Sequence, residues 1–513
     1  MSDEAERRER FVAALVFVVA LAVRLPRAWL SPRAMVIGFV PDDSFYYLTI
    51  ARNVAEGRGV TFDGTVSTNG FHPLWAACLS ALATVFRDRA LLSAAVALGA
   101  ICGAAMVVSV SSILRRLEVS SLARAIAIAW LTFHALAIDL STSAIEAPVH
   151  GLCFSLLVLA AIDPRAAERP LRLGALAGLL VLSRTDSVLL ALPAVWPIAR
   201  KRDARALGKL VLAGALVISP WILLSIVSLG GLVQSSGIAF PLLLRRQAEA
   251  RGIVGFGRTL GHSLSQLLEW SRWCAAWCAA KSIPFLFVLA ALLARLRRRT
   301  PDARFLVALF FVAAASTLLL HGALRWLVRE WYVSPLLVML TVGLALLCDD
   351  AVAGVARFTP KLTKHRFSWV AAPIVLGTAM IDGGYFDEHL PRYPWQAEMF
   401  DAARWVQTNV PRDQTIGAFN AGIEGFVSGH RVVDLDGVVD MRAVDALRSR
   451  TLGDYLRARQ VRVVVDYRYS YERDYAPFFG DSRVTLVTRT TLPGSWNGSE
   501  IVVWRVVDEV ATP

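Results

Sequence analysis

Two aspartates follow a proline at the start of a helical run: Pro41-Asp42-Asp43-Ser44 opens a stretch with helical periodicity that reaches Ala55. Carboxylates at a helix N-terminus are favoured by the free N–H groups and the dipole there. Such a pair can take a proton as a general base, grip a cation or hold a positively charged partner, or it can simply cap the helix. The chain continues as GVTFDGTVSTNGFHPLW (59–75), a Gly-rich loop that presents Asn69 and His72 just before a proline. Glu146 lies in STSAIEAP (141–148), where a carboxylate at a helix start complements the dipole. Arg184 and Asp186 interrupt the apolar LLVLSRTDSVLLA (179–191). A charged residue at mid-membrane costs about 2.5–3.5 kcal/mol on insertion scales, so these two must pair, reach the surface or line a cavity. The plain alternative is a polar hairpin tip; the functional one has Arg184 holding phosphate or sugar hydroxyls.

Further cations stand in the later loops. Arg245, Arg246 and Arg251 follow the polar turn Ser235-Ser236-Gly237, and Arg325 and Arg329 stand at helical spacing in HGALRWLVREWYVSP (321–335). Arginine binds phosphate in a bidentate fork, which makes all of these candidates for a lipid phosphate. A solvated amphipathic helix would account equally for the first group. An interfacial aromatic belt would account for Trp326, Trp331 and Tyr332 around the second.

A membrane bundle must position these groups. The chain of 513 residues is 56% hydrophobic and only 19% charged. Apolar runs recur from Phe11 to Tyr385, so most of the chain lies in lipid. The first, 11–30, is too long for a signal-peptide core and lacks a small-residue cleavage site, so it reads as a retained span with the N-terminus in the cytoplasm. Others run at 91–114, 122–137, 147–162, 171–182, 187–198, 207–229, 283–296, 305–320, 332–348 and 369–381. Five breaks between them are rich in Arg and Lys and belong in the cytoplasm. The run 71–86 then lies between two outer points and, at about 16 residues, is too short to cross. It is expected to lie on or half inside the outer leaflet. The parity gives about eleven spans. A rival topology, in which 71–86 crosses and 171–198 is one span, puts two basic breaks outside. The net charge of +13 follows this topology, with some attraction to anionic lipid heads, and no contiguous basic patch suits nucleic acid.

The composition turns globular after Tyr385, which divides a membrane domain (1–385) from a soluble one (386–513). In the latter, an amphipathic helix at 397–411 precedes β-rich runs at 415–419, 431–435, 461–466, 483–488 and 500–507, with helices at 442–448 and 452–459. The pattern predicts a small α/β domain with a partly parallel sheet. None of the six cysteines falls in it, which excludes a disulfide framework there, and Cys274 with Cys278 reads as a packed helix face. Asp434 and Asp436 form a D-x-D spacing without a nucleotide-binding fold around it, and they read as a strand-end turn. Asn497-Gly498-Ser499 is a formal glycosylation sequon.

DDSFYYLTIARNVAEGRGVTFDG followed by TNGFHPLW resembles the first outer loop of the GT-C superfamily of lipid-phosphate-sugar-dependent glycosyltransferases. It looks like the loop of the bacterial members, which include aminoarabinose and arabinofuranosyl transferases and are related to the protein O-mannosyltransferases. The resemblance implies a polytopic α-helical, GT-C-like membrane protein with a C-terminal soluble α/β domain, seated in a bacterial plasma membrane with that domain outside. It implies transfer of a hexosyl or pentosyl unit from a polyprenyl-phosphate donor to a hydroxyl of a cell-envelope glycan, lipid or protein. In the family the acidic residue just after the first span is the base, a role that falls here on Asp43 or Asp42 without separating them. Glu146 takes the place of a second acidic residue at the sugar site. Asn69, His72, Arg184 and Asp186 join it as substrate-binding candidates, and Arg245, Arg246, Arg325 and Arg329 as lipid-phosphate candidates. Some members need a divalent cation and others do not, and no further cofactor and no nucleic acid are implied. A lipid-linked-sugar flippase or transporter would explain the spans but should show inverted repeats, and none is visible. A non-catalytic assembly subunit is the other rival.

Overall fold

The computed structural model describes residues 3–229, 231–250, 302–323, 329–358, 392–481, 484–494 and 498–508. Arg251, Arg325, the runs 283–296 and 369–381, the Cys274/Cys278 pair, Asn497 and the 385/386 boundary lie outside them.

The helices in chain order are α1 (Asp3–Arg24), α2 (Pro32–Gly38), α3 (Asp42–Ala55), α4 (Pro73–Ala83), α5 (Asp88–Arg116), α6 (Ser121–Phe133), α7 (Ala135–Thr142), α8 (Ala147–Ala161), α9 (Pro170–Ser183), α10 (Val188–Ala191), α11 (Trp196–Ala199), α12 (Ala204–Ser228), α13 (Ser236–Ala250), α14 (Asp302–Ala323) and α15 (Ser334–Phe358). Among the described residues four helices are long and apolar enough to cross a membrane, or five if the bent pair α6–α7 is one span. The chain is an integral membrane protein. Apolar side chains on α1 and α12 stay bare, as with Leu216 at 62% exposure, because lipid rather than protein covers them. α4 has only 11 residues, roughly 16 Å of helix and far short of a bilayer. The hairpin expected from 171–182 and 187–198 is present as α9 and the pair α10–α11, all of them short.

Where lipid gives helices no hydrophobic reason to associate, small residues bring them together. In α9, a Cβ at Gly178 would press on Val217 of α12, 2.8 Å from its Cβ. In α5, Gly99 and Gly103 face Ser141 of α7, and a Cβ at Gly99 would stand 2.5 Å from the Ser141 carbonyl oxygen. The run expected to be one helix over 122–137 instead breaks at His134 and bends by 53° into α7.

The C-terminal domain adds α16 (Gln396–Asn409), α17 (Ala421–Val427), α18 (Met441–Ser449) and α19 (Leu452–Ala458) around five strands, β1 (Thr415–Ala418), β2 (Val432–Asp434), β3 (Val461–Tyr467), β4 (Val484–Thr491) and β5 (Ile501–Asp508). The sheet order is β2-β1-β3-β5-β4. β1 runs parallel to β2 and β3, while β5 is antiparallel to β3 and β4, so the sheet is parallel in one half. β1 and most of β3 are buried, as strands covered on both faces must be. All five strands match the β-rich runs in the sequence, whereas α17 was not anticipated.

Candidate active site

Helix α3 is where the two domains meet. α17 lies along it in the same direction, and α3 supplies a hydrogen-bonding side chain to each end of its short partner. Asp42 Oδ1 accepts the Ile423 N–H at 2.6 Å, near the N-terminus of α17. Arg52 donates to the Gly425 and Phe426 carbonyls at 2.8 and 3.2 Å, at the C-terminus. Arg52 at the C-terminus also complements the dipole of α17. Glycines make the approach possible: a Cβ at Gly422 would lie 2.7 Å from Asp42 Oδ1, and one at Gly425 would lie 2.5 Å from the Phe62 ring. Tyr46 on α3 accepts the Ala421 N–H at 3.0 Å. Gln396 closes the joint, accepting from the Asp42 N–H at 2.7 Å while donating to the Val36 and Val40 carbonyls at 2.6 and 2.8 Å. The Gly-rich loop is held as well, through ion pairs from Asp63 to Arg431 and Arg459.

This joint separates the two aspartates that the sequence leaves equivalent. Asp42 is engaged in docking. Asp43 accepts no hydrogen bond from any described residue, and the charges acting on it are Arg329 and Glu330. Burial raises the carboxyl pKa of both. Asp42 is pushed up to about 7, with the charges of Asp43 and Asp466 adding to burial and the Ile423 and Gly422 N–H groups opposing it. For Asp43 burial raises the pKa, Arg329 lowers it and Glu330 raises it again. Glu424 on α17, buried beside Asp42 and Asp466, is also raised well above the usual carboxylate range, and its Oε2 has no partner among the described residues.

A second polar centre forms between α3, α4, α8 and the turn after α9. Glu146, 1% exposed, accepts from the Tyr47 hydroxyl at 3.0 Å and from the Arg184 guanidinium. Arg184 also forms a fork to Asp186, at 3.1 and 2.6 Å, and lies 3.9 Å over the Tyr332 ring. The guanidinium is therefore already occupied by two carboxylates and an aromatic face. Its position is that of an organiser of acids rather than an open phosphate fork. His72 Nε2 stands 3.9 Å from Glu146 Oε1. The Thr185 N–H reaches His72 Nδ1 at 3.3 Å, which assigns the neutral ring's proton to Nε2, facing the carboxylate. Asn69 braces a neighbouring loop: its amide donates to the Gly231 and Val233 carbonyls at 2.9 and 3.0 Å and accepts the Ser235 N–H at 3.1 Å. Removing the cation by Arg184→Met would strand two carboxylates around a buried site. The expected loss is about 3–5 kcal/mol of stability, read as a fall in unfolding temperature in detergent, and Glu146→Gln in the same background should recover part of it.

A third network lies beside Arg329. Asp139 on α7 pairs with Arg27 at 2.6 Å and with Arg392. Tyr393 donates to Glu330 at 2.5 Å. Arg329 itself keeps a buried Nε with no partner among the described residues. Sequence reasoning missed Tyr47, Asp139, Arg392 and Gln396, since nothing local marks them and their partners lie far along the chain. Arg245 and Arg246 fall on α13, where only the backbone is described. Asp434 accepts the Asp436 and Val439 N–H groups at 3.1 and 2.8 Å, as expected of a strand-end turn. The same turn also touches the Gly-rich loop and the loop after α12, since Gly70 packs on the Val438 carbonyl oxygen and Ser235 Oγ donates to it at 2.7 Å. Among the described residues no three His, Cys, Asp or Glu side chains converge as metal ligands.

Comparison with known proteins adds the fold. The family model described as Domain of unknown function (DUF8728) matches residues 389–504. No curated protein matches the chain. Among solved structures, the Archaeoglobus fulgidus oligosaccharyltransferase in complex with Zn and sulfate is similar at 13% identity and a TM-score of 0.58, over 93% of this chain and 72% of that one. ArnT from Cupriavidus metallidurans bound to undecaprenyl phosphate aligns over 100% of this chain and 99% of its own, at 13% identity and a TM-score of 0.56. The apo form of that ArnT aligns over 98% of each chain, at 13% identity and 0.54. At this identity the likeness establishes architecture alone: the chain shares the fold of these solved structures, here a bundle of membrane helices followed by a small α/β domain.

Proposed function

We propose that this protein transfers a sugar from a polyprenyl-phosphate carrier to an acceptor hydroxyl, with Asp43 as the general base. The observation that carries the reading is the division of labour at α3. Asp42 is tied to the Ile423 N–H, while Asp43, one residue on, is left with an unbonded carboxylate within the field of Arg329. The acceptor O–H gives its proton to Asp43, its oxygen bonds to the anomeric carbon, and the sugar–phosphate C–O bond breaks with its electron pair leaving on the phosphate. A phosphate leaving group needs no protonation near neutral pH, so one base is enough. Arg329, whose Nε is unpartnered among the described residues, offers the developing phosphate charge a cation. In this reading Arg245, Arg246 and Arg325 are further contacts to the carrier's head. His72, Glu146, Arg184 and Asp186 line the sugar side, and Asn69 holds the loop above it.

The transferred unit is a hexose or pentose, and the acceptor is a glycan, lipid or protein of the cell envelope. The membrane domain is 1–385 and the soluble domain 386–513. The N-terminus faces the cytoplasm of a bacterial cell, and Asp43 and the C-terminal domain face outward.

The test is transfer of radiolabelled sugar from a panel of synthetic polyprenyl-phosphate sugars by protein in liposomes. Transfer that Asp43→Asn abolishes supports the reading, whereas absence of transfer from every donor by wild type would favour a flippase or an assembly subunit. A pH profile is a second check. Because the folded Asp43 holds its proton above the ordinary aspartate value, it acts as a base only after pH rises through that higher value. The acidic limb of kcat/KM should therefore lie above 4, and a limb at or below 4 would exclude Asp43.

A further inference from the structure

Arg24 ends α1 with a side chain that is fully buried and forms no ion pair with a described residue. Its neighbour Arg27 has Asp139; Arg24 has carbonyls instead. Nη1 donates to the Ala20 and Thr132 carbonyls at 2.9 and 3.1 Å, Nη2 to the Leu131 carbonyl at 3.3 Å, and Nε to Ser141 Oγ at 3.1 Å. Leu131 and Thr132 occupy the last turn of α6, just before the break at His134. A helix that stops leaves its final carbonyls without partners, and among lipid-buried helices no water is at hand to satisfy them. A cation at that end also meets the negative pole of the helix dipole. The planar fork of arginine can serve both α6 carbonyls and the serine at once, a span that the single ammonium of lysine does not cover.

We infer that Arg24 is a positioning residue that holds the bent span open and thereby sets where the sugar-side acids stand, an inference that rests on the glycosyltransfer reading for its kinetic consequence. The link from Arg24 to the site is short. Ser141, which takes the Arg24 Nε–H and passes its own hydrogen to the Ala137 carbonyl at 2.5 Å, lies five residues before Glu146. Between them the chain turns through Ala144 at a left-handed φ of 55°, a conformation an alanine keeps only under constraint. That turn is tied to the first outer loop, since Ser44 Oγ donates to the Ser143 carbonyl at 2.7 Å and Trp75 Nε1 to the Ala144 carbonyl at 3.0 Å. Ser44 adjoins Asp43, and Trp75 follows His72 by three residues. The position of the break therefore fixes Glu146 relative to both Asp43 and His72. Gly103 on α5 supports the same arrangement, because a Cβ there would stand 2.6 Å from Ser141 Cβ.

The experiment uses full-length protein in nanodiscs. Amide hydrogen exchange is followed in Arg24→Met, Arg24→Lys and the milder Ser141→Ala, beside the kinetics of sugar transfer. In Arg24→Met, exchange across 131–146 should quicken at least tenfold while the C-terminal sheet stays protected. The value of kcat should fall at least tenfold with the donor KM changed less than threefold, because the carrier's phosphate contacts lie elsewhere. Arg24→Lys should recover less than half of the lost kcat, and Ser141→Ala should show the same pattern at smaller size. Unchanged exchange at 131–146 in Arg24→Met would overturn the inference, as would full activity in Arg24→Lys or a loss appearing in KM alone. If wild type moves no sugar, the glycosyltransfer reading fails by itself, and the exchange result still decides whether Arg24 holds the break.

Discussion

Asp43→Asn is expected to lower kcat by about 10²–10⁴-fold, the usual worth of a general base, while leaving expression, unfolding temperature and donor KM close to wild type. Its neighbour makes the informative control. In Asp42→Asn the side-chain oxygen can still accept the Ile423 N–H, so docking survives and activity should fall by less than about tenfold. The contrast tests the geometry as well as the chemistry, since both substitutions remove one carboxylate at the same helix start. Equal losses in the two variants would mean that the acid pair acts as a unit and that Asp43 is not the base.

The second large effect is expected far from any reacting group. Gly422→Ala places a methyl group 2.7 Å from Asp42 Oδ1 and against the Asp42 backbone, which cannot yield as a flexible side-chain tip would. Gly425→Ala sets its methyl 2.5 Å from the rim of the Phe62 ring. Overpacking of this kind costs about 1–3 kcal/mol per site, and both sites lie on one seven-residue helix. The double variant should loosen the C-terminal domain from α3. Residues 421–427 and 45–52 would lose exchange protection together, and sugar transfer would fall at least tenfold although neither glycine touches substrate. Wild-type protection in the double variant would show that α17 does not hold the joint. Asp42 makes the same joint pH-dependent. Its folded pKa of about 7 stands above the unfolded value near 4, so the folded state holds the extra proton between them. Docking should be firmest below about 4 and weaken as pH rises through about 7, because burial first and the like charges of Asp43 and Asp466 next disfavour an ionised Asp42.

Features whose cause is local were legible in the sequence. The five strands declared themselves by β-rich runs, and the Asp-rich start of α3 and the shortness of α4 followed from proline placement and apolar run length. Features whose cause is a distant partner were not. α17 carries two glycines and a glutamate in seven residues and gives no local helix signal, and the side chains that hold its two ends, Asp42 and Arg52, come from α3. The break at His134 is invisible because the apolar run continues across it; the residue that makes it tolerable, Arg24, lies more than a hundred positions earlier. Asp42 and Asp43 were inseparable for the same reason. Arg184 stands out in the sequence as a buried charge, but the two carboxylates and Tyr332 that already occupy it lie far along the chain or, as Asp186, turn back on it only in the fold.

The bond from Asp42 to Ile423 joins residues 381 positions apart. During synthesis α3 leaves the ribosome early, whereas α17 emerges only after nearly every membrane segment has been inserted. Until then Asp42 has no mate, and nothing distinguishes it from Asp43. In a nascent or prematurely terminated chain the Ile423 N–H is missing, so the two aspartates become different only once the C-terminal domain has been made and docked.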